Sequence, residues 1–464
     1  WRRSAHRTHG GGSSVLRVLG FARWLSHPGR IAPVAYLFGW VVGTLVLMSP
    51  AATESGESSG FWVAAFTAMS ALCITGLAVV DTPSHWSTFG ELTIMTLIQV
   101  GGLGIMTLTS LIIFSVTRRA SQAQLHIAQS ETRARTRRGL RSIPARILML
   151  SLAFELVFAV VLTLRFRSYL PDWGAAAYHG MFHAVSAFNN AGFALYPDNL
   201  VRFNADPFVM VPICLAIVLG GLGFPVYLEV VERVRGHLPP FWSVHLRLTL
   251  YGTVILLVLG FATFAAFEWT NPATLGGQGP MGKFLGALGG SVFPRTAGFN
   301  SVDYALVTDE TLAVDFGLMM IGGGSGGTAG GLKVTTVAVL LLAVITEVRG
   351  HEKTVLGSRK ISSAVSRQAL AVVVLGTAAV FVGILAISAV SDAPLREDTF
   401  EAISAFGTVG LSMNLTPTLP PAAWGVLMGL MYLGRVGPVS VAAALAMTAR
   451  HRHYELPRED PLVG

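Results

Sequence analysis

Four short segments of the chain share a spacing that could bring backbone carbonyl groups to one point. Each ends in Gly followed by Leu or Phe, and the four glycines are Gly76, Gly192, Gly298 and Gly410. A serine stands six residues before the glycine in three segments, whereas Val292 takes that place in the third. The glycines are 116, 106 and 112 residues apart, which indicates four versions of one unit.

Each of these segments lies between two long apolar runs, each expected to form a spanning helix. In the second unit, residues 147–164 precede the segment and residues 208–228 follow it. About 20 apolar residues cross the hydrocarbon core as a helix, and the dozen residues of the segment are too few. We therefore predict re-entrant half-helices, each ending in an extended turn that is buried in protein or lines a watery cavity.

Four half-helices around one axis would aim four C-terminal ends, each with partial negative charge, at a common centre. A terminal glycine permits a left-handed or closely approached backbone, because it has no Cβ. Carbonyl oxygens at that centre could replace the water shell of a cation. Close helix packing through small residues would explain one such segment, but four of them favour a cation pore of the potassium type.

The composition indicates an integral membrane protein. Hydrophobic residues make up 52% of the chain and charged residues only 12%, against roughly 25% in soluble domains. Of the 33 Lys and Arg residues, 25 fall in the termini and polar linkers, which are therefore predicted to be cytoplasmic. The net charge of +8 thus reflects orientation rather than nucleic-acid binding. The two cysteines, Cys73 and Cys214, lie in apolar segments, which argues against a disulfide framework or a metal-ligand cluster.

These patterns predict an all-α, multi-pass plasma-membrane protein with eight transmembrane helices and both termini in the cytoplasm. Because the chain begins at Trp1, we expect a trimmed N-terminus, and the basic leader does not resemble a cleavable signal peptide. The predicted parts are a leader at residues 1–30, repeat 1 at 31–117, a basic linker at 118–146, repeat 2 at 147–231, a linker at 232–245, repeat 3 at 246–346, a linker at 347–366, repeat 4 at 367–449 and a tail at 450–464.

The last apolar helix of repeat 3 contains a stretch, residues 322–331, that is too rich in glycine for a continuous helix. Each glycine is about 1 kcal/mol less favourable in a helix than Ala. We expect two or three helical pieces joined by a flexible loop, its backbone satisfied by pore water or side chains and held by few packed contacts. Lys333 does not complete a phosphate-binding loop, because the spacing is not GxxxxGK[ST] and Val334 follows the lysine.

The second apolar helix of each unit carries glycine at a similar distance after the repeat glycine, at Gly102, Gly221, Gly323 and Gly434. We therefore expect the glycine-rich stretch and Arg435 to share one depth. A charged side chain near mid-membrane is costly, so Arg435 should face a cavity or a counter-charge. The linker arginines Arg133, Arg135, Arg137, Arg138 and Arg141 could bind anionic lipid or dock a soluble partner.

Three motifs together resemble the Trk/Ktr/HKT superfamily of potassium transporters, and the Ktr-type membrane subunit in particular. They are Arg295-Thr-Ala-Gly-Phe-Asn300, the stretch from Gly322 to Lys333, and Gly434-Arg-Val-Gly-Pro438. The resemblance covers the chain from Ile31 onward. It implies four M1–P–M2 units around one pseudo-four-fold pore, a homodimer, and a ring of cytoplasmic nucleotide-binding regulatory subunits. It also implies potassium uptake, with no organic cofactor and with sodium as a possible activator.

The resemblance also implies a selectivity filter of backbone carbonyls that hold K⁺, and all four repeat glycines go with potassium preference in this family. We expect the Arg295 side chain to point behind the filter, toward an outer acid such as Asp303. The implied filter residues are Cys73, Ile74, Thr75, Gly76, Asn189, Asn190, Ala191, Gly192, Arg295, Thr296, Ala297, Gly298, Gly407, Thr408, Val409 and Gly410. The implied gate residues are Gly322, Gly323, Gly324, Ser325, Gly326, Gly327, Lys333 and Arg435, the last as an electrostatic barrier.

Two other functions stay open. A sodium- or proton-coupled transporter with broken helices would need acids at mid-membrane, and Glu155 is the only, and a poor, candidate well inside a span. An intramembrane enzyme would need a nucleophile and base or a metal motif. His179 and His183 lie four residues apart, but no carboxylate accompanies them. We therefore expect a transporter and not an enzyme.

Overall fold

The structure, a computed structural model, describes residues 28–124, 143–236, 241–351, 353–357 and 359–447. Most of the predicted leader, the linker arginines between 133 and 141 and the whole C-terminal tail lie outside these residues. Within the described residues the chain forms fifteen α-helices and one short antiparallel hairpin. The helices are α1 (Pro28–Leu47), α2 (Phe61–Leu72), α3 (Thr82–His85), α4 (Thr88–Gln124), α5 (Ile143–Phe166), α6 (Trp173–Phe188), α7 (Pro207–Leu222), α8 (Phe224–Val234), α9 (Val244–Glu268), α10 (Pro280–Val292), α11 (Asp309–Met320), α12 (Val334–Val348), α13 (Ser363–Ser388), α14 (Leu395–Gly407) and α15 (Pro421–Met447). The hairpin pairs β1 (Val355–Leu356) with β2 (Arg359–Lys360).

Three helices of the described chain are long and apolar enough to cross a membrane alone. They are Pro144–Phe166 within α5, α9 and α13. Together α7 and α8 satisfy the same criterion but are bent by 87°. The predicted mostly helical, apolar membrane protein is therefore confirmed at this level, while the total of eight spans stays a prediction.

The four repeated segments form four short helices, α2, α6, α10 and α14. They contain 12 to 16 residues, so at about 1.5 Å per residue they are too short to cross a hydrocarbon core of about 30 Å. Residues 64–72 of α2 are all buried, as are residues 182–188 of α6. Half-helices made of small and apolar residues thus lie inside the protein.

The helices of the four units pack in a cyclic order. The second long helix of each unit contacts the half-helix of the next: α4 contacts α6, α7 contacts α10, α11 contacts α14, and α15 contacts α2. The last unit therefore packs back against the first, and Tyr432 of α15 donates to the Pro33 carbonyl in α1 at 3.0 Å. This order brings the C-terminal ends of the half-helices toward one another.

Two of the second helices are broken. In the third unit α11 ends at Met320 and α12 begins at Val334, which confirms the predicted split. In the second unit α7 ends at Leu222 and α8 starts at Phe224, so the expectation of one continuous span over residues 208–228 is wrong. Gly223 at this bend has φ +93°, and the following Pro225 has no amide hydrogen with which to continue the helix.

The two breaks satisfy each other's backbone groups. The amide of Gly324 donates to the Gly221 carbonyl at 2.8 Å, and the amide of Thr328 donates to the Gly220 carbonyl at 3.2 Å. In the opposite direction, the amide of Phe224 donates to the Gly326 carbonyl at 3.1 Å. Buried backbone groups are costly when unpaired, so each break stabilises the other by supplying its hydrogen-bond partners.

Candidate ion pathway

The four repeat glycines meet at one place. A Cβ built on Gly76 would lie 2.4 Å from the Ala191 oxygen, and one on Gly192 would lie 2.5 Å from the Gly298 Cα. On Gly410 it would lie 2.0 Å from the Thr75 oxygen. A Cβ on Gly298 would likewise lie 2.7 Å from the Val409 oxygen. The closing contact from the fourth segment back to the first shows that the glycines form a ring.

Each segment has the same backbone alternation at this ring. The glycines have φ between +69° and +95°, and the residue two positions earlier is also left-handed in every segment. Those residues are Ile74 (φ +52°), Asn190 (+59°), Thr296 (+61°) and Thr408 (+49°). Non-glycine residues seldom adopt this conformation, so four at equivalent positions indicate a constraint shared by the repeats. The carbonyls of the residues between them, Thr75, Ala191, Ala297 and Val409, lie against the neighbouring glycines.

The repeated serine holds the end of three of the four half-helices. The Ser70 hydroxyl accepts from the Gly76 amide at 3.1 Å, and Ser404 accepts from the Gly410 amide at the same distance. The hydroxyl of Ser186 donates to the Phe193 carbonyl at 2.7 Å. The backbone bond at the helix end also differs in the third segment, where Val292 replaces the serine. There the Ala297 amide donates at 3.1 Å to the Phe293 carbonyl, four residues earlier, whereas the corresponding amide of the other segments donates to a carbonyl five residues earlier.

A second tether lies nine residues before the glycine, where sequence reasoning assigned no role. Glu401 accepts from the Met413 amide at 3.3 Å, and His183 at the equivalent position accepts from the Leu195 amide at 3.4 Å. Both amides belong to the third residue after the repeat glycine. His183 is therefore a structural anchor that is stacked on His179.

The Arg295 side chain does not reach the outer face. Its Nη2 donates to the Gly322 carbonyl at 3.3 Å, at the start of the glycine-rich loop. Asp303 instead accepts from the Asn414 side chain at 3.0 Å, so the expected pairing of Arg295 with Asp303 is wrong. Arg295 and Asn190 line a small cavity of about 20 Å³ behind the ring, which is large enough for a water molecule.

Glycines of the second helices allow the half-helix ends to approach closely. A Cβ on Gly101 would lie 1.9 Å from the Leu72 oxygen, on Gly220 1.8 Å from the Phe188 oxygen, and on Gly434 1.7 Å from the Phe406 oxygen. Each of these carbonyls is four residues before a repeat glycine. The spacing predicted Gly434 correctly. In the first two units the contacting glycine is Gly101 or Gly220, one residue before the predicted Gly102 or Gly221.

The loop between α11 and α12 is buried and packed beneath the ring. Thr328 Oγ1 donates to Asn190 Oδ1 at 2.8 Å. A Cβ on Gly322 would lie 3.3 Å from the Thr296 methyl group, and a Cβ on Gly330 would lie 1.9 Å from Thr408 Oγ1. Three of the four left-handed residues thus touch this loop, and the expectation that few packed contacts hold it is wrong.

Two cations, the half-buried Lys333 and the buried Arg435, clamp the carbonyl groups of the same loop. The Lys333 ammonium donates to the Ala329 carbonyl and, at 3.5 Å, to the Gly330 carbonyl. Arg435 of α15 donates from Nη1 to the Thr328 carbonyl, and the described part of the chain places no acceptor within 3.5 Å in hydrogen-bonding geometry of its Nε and Nη2. Within the described residues no acid forms an ion pair with either side chain. The loop therefore carries concentrated positive charge just below the ring.

A family model described as a cation transport protein, TrkH, matches residues 38–453 of the chain. The chain belongs to the TrkH family. It is 37% identical to Ktr system potassium uptake protein B of Bacillus subtilis (strain 168) over 424 residues, which cover 91% of this chain and 93% of that protein. It is 35% identical to the protein of the same name from Vibrio alginolyticus, with 90% and 91% covered.

A third relative and a solved structure agree with this membership. Potassium/sodium uptake protein NtpJ of Enterococcus hirae is 33% identical, and the match covers 94% of this chain and 97% of that protein. The crystal structure of the potassium transporter TrkH from Vibrio parahaemolyticus shares the fold, with a TM-score of 0.69 at 17% identity. The match covers 91% of this chain and 84% of that one. This TrkH-family chain is therefore a membrane transport protein.

For this TrkH-family member, the glycines of the ring were predictable from the sequence, whereas the side chains that tether the ring segments were not predicted. The tethers at His183 and Glu401 are separated by the repeat spacing and could have been found by aligning the four segments. No comparable signal marks the network around Asn189, because its partners lie on α4 and α5, in two other parts of the chain.

Proposed function

We propose that this chain takes up potassium through a channel-like pore at the centre of the glycine ring. The convergence of four half-helix C-terminal ends on four left-handed glycines carries the proposal. It is supported by relatives that are named potassium uptake proteins. Carbonyls from the four segments would line a short filter and replace water around K⁺, aided by the partial negative charge of the helix ends.

The proposed architecture is eight transmembrane helices in four M1–P–M2 units, with the domain limits predicted above. In this arrangement α7 with α8 and α11 with α12 each count as one interrupted span. The excess of Lys and Arg in the termini and linkers supports a plasma-membrane protein with both termini in the cytoplasm. The resemblance to Ktr-type subunits supports a homodimer that binds a ring of nucleotide-binding regulatory subunits.

The glycine-rich loop and Arg435 together form the proposed gate. The loop lies directly under the ring, and its displacement toward the cytoplasm would open the path. Two unit charges about 6 Å apart at an effective dielectric constant of about 20 repel by about 3 kcal/mol, enough to slow flux about a hundredfold. Arg435 and Lys333 would thus oppose ion passage while they clamp the loop.

Ion flux in vesicles that contain only this protein tests the proposed function. We expect potassium uptake driven by membrane voltage alone, without a sodium or proton gradient, because the sixteen residues of the four ring segments include no Asp or Glu that could carry a coupled proton. Protein-free vesicles are the control. An absence of potassium flux would overturn the proposal. Uptake that requires a sodium gradient would instead favour coupled transport, which the name of the Enterococcus relative brings into consideration.

The cytoplasmic linkers are the proposed docking site for the regulatory ring. In the linker between α12 and α13, the strand residues Arg359 and Lys360 are exposed. Neutralising Arg135, Arg137 and Arg138, which lie outside the described residues, should weaken copurification of a cytosolic nucleotide-binding protein by about tenfold. Opposite charges across an interface mainly determine encounter and register, so removing three positive charges should be measurable.

The matched control is neutralisation of Arg167 and Arg202, which the proposed topology places on the outer face. It should leave copurification unchanged. If the triple variant retains the cytosolic protein but binds less to vesicles with anionic lipid, the linker is a lipid contact rather than a docking site.

A further inference from the structure

A buried carboxylate lies beside the ring without a basic partner. Glu155 is on α5 and is 2% exposed. Its two oxygens accept from the Gln99 amide of α4 at 3.0 and 2.9 Å, and Oε1 also accepts from Asn189 Nδ2 at 3.0 Å. Within the described residues no Lys or Arg forms an ion pair with it. Within these residues, side-chain amides are therefore the hydrogen-bond partners of this carboxyl group.

Asn189 connects this carboxylate to the ring. It ends α6, three residues before Gly192, and is fully buried. Its Nδ2 donates to Gln99 Oε1 at 2.9 Å and to the Val185 carbonyl at 2.9 Å, in addition to Glu155. The next residue, Asn190, is left-handed and accepts from Thr328 of the glycine-rich loop at 2.8 Å. The second segment is therefore held from behind by Glu155 and from below by the loop.

Packing alone does not account for a carboxylate at this position. An unpaired buried charge is costly, and a negative charge near the C-terminal end of a helix, here α6, is further destabilised by the helix dipole. Hydrogen bonds to an ionised group are roughly twice as strong as neutral ones. They fix the orientation of the Asn189 amide more firmly than an apolar contact would. The other segments have Cys73, Arg295 and Gly407 at the equivalent position, so this support is specific to one segment.

We propose that Glu155 and Gln99 are positioning residues that set ion preference by fixing the second segment of the ring. This inference rests on the proposed potassium pore. A carbonyl ring discriminates between ions through the number and placement of its oxygens. The left-handed backbone at Asn190 is sparsely populated for a residue with a side chain, so external support helps to keep the neighbouring Ala191 carbonyl in place.

Exchange of the two side chains tests the proposal. Glu155→Leu should lower the potassium-to-sodium permeability ratio about fivefold, because Asn189 loses its charged acceptor. Glu155→Gln and Gln99→Glu should each lower the ratio, by loss of the charge and by like-charge repulsion respectively. The double variant Glu155→Gln/Gln99→Glu should recover the parent ratio to within about twofold. It again places one carboxylate and two amides together, since Asn189 Nδ2 already lies 2.9 Å from the side chain of residue 99.

The matched control is Glu310→Gln, which removes an exposed carboxylate in the first turn of α11 and should leave the ratio unchanged. A folded Glu155→Leu protein with the parent ratio, or a double variant no better than either single one, would overturn the inference. If Glu155→Leu does not fold, the two single variants Glu155→Gln and Gln99→Glu and their double variant test the inference.

A second measurement separates this inference from the proposed function. Potassium should raise the unfolding temperature of the parent protein more than sodium does, and this difference should shrink in Glu155→Gln and return in the double variant. Absence of potassium flux through the parent protein would overturn the proposed function. The potassium-dependent shift in unfolding temperature would then still test whether Glu155 and Gln99 support the second segment. Equal shifts in the parent and in Glu155→Gln would overturn the role of Glu155.

Discussion

Gly76→Ser is expected to lower the potassium-to-sodium permeability ratio about tenfold. Gly76 has φ +94°, which a residue with a side chain rarely adopts, and left-handed backbone costs such residues roughly 1–2 kcal/mol. The added Cβ would also lie 2.4 Å from the Ala191 oxygen, so the second segment must shift. A free-energy change of about 1.4 kcal/mol corresponds to a factor of ten. Current measurements under bi-ionic conditions give the ratio.

Gly56→Ser is the matched control for this prediction. Gly56 also has positive φ, +71°, but no atom of the described residues lies within 4 Å of its added Cβ. It therefore carries a comparable backbone penalty without any close approach at the ring, and its permeability ratio should equal that of the parent. If Gly76→Ser also keeps the parent ratio, Gly76 is only a packing residue.

Deletion of residues 322–327 is expected to raise potassium flux about tenfold or more at equal voltage and to weaken control by a regulatory subunit. The deletion removes the groups of Gly324 and Gly326 that bond to the break between α7 and α8, and so releases the loop from beneath the ring. The residues of the four ring segments remain, so ion preference should change less than flux, although Arg295 loses its Gly322 acceptor and the contact of Thr328 with Asn190 is loosened. Flux is measured in vesicles prepared from monodisperse protein. This check on folding is needed because the α7 carbonyls that the deletion releases must find new partners.

A point substitution displaces the same loop without deleting it. A Cβ on Gly324 would lie 2.4 Å from the Leu222 oxygen, so Gly324→Ala should push the loop from α7 and raise flux by a smaller factor. Gly317→Ala is the matched control in α11, because nothing in the described part of the chain lies within 4 Å of its added Cβ. If neither folded loop variant conducts faster than the parent, the loop is not the gate.

The repeat was readable from the sequence because local patterns specify it. Apolar run length, segment length and the glycine that ends each half-helix are properties of neighbouring residues, and the structure has four short helices in those places. The split of α11 from α12 was also predictable, since seven glycines in ten residues do not support a helix whatever surrounds them. The family resemblance rested on the same local motifs.

Only the tertiary structure decided which other helix would break and where buried charges would point. A Gly-Gly-Leu-Gly sequence occurs in the second apolar run of both the first and the second unit, yet α4 continues through Gly101 while α7 ends before Gly223. The difference arises because the groups freed in α7 bond to the loop of the third unit, about 100 residues away. Arg295 turns to Gly322 rather than to Asp303, and Glu155 meets Asn189, for the same reason. A buried polar group takes the partner that the packed helices place beside it, and sequence spacing carries no record of that partner.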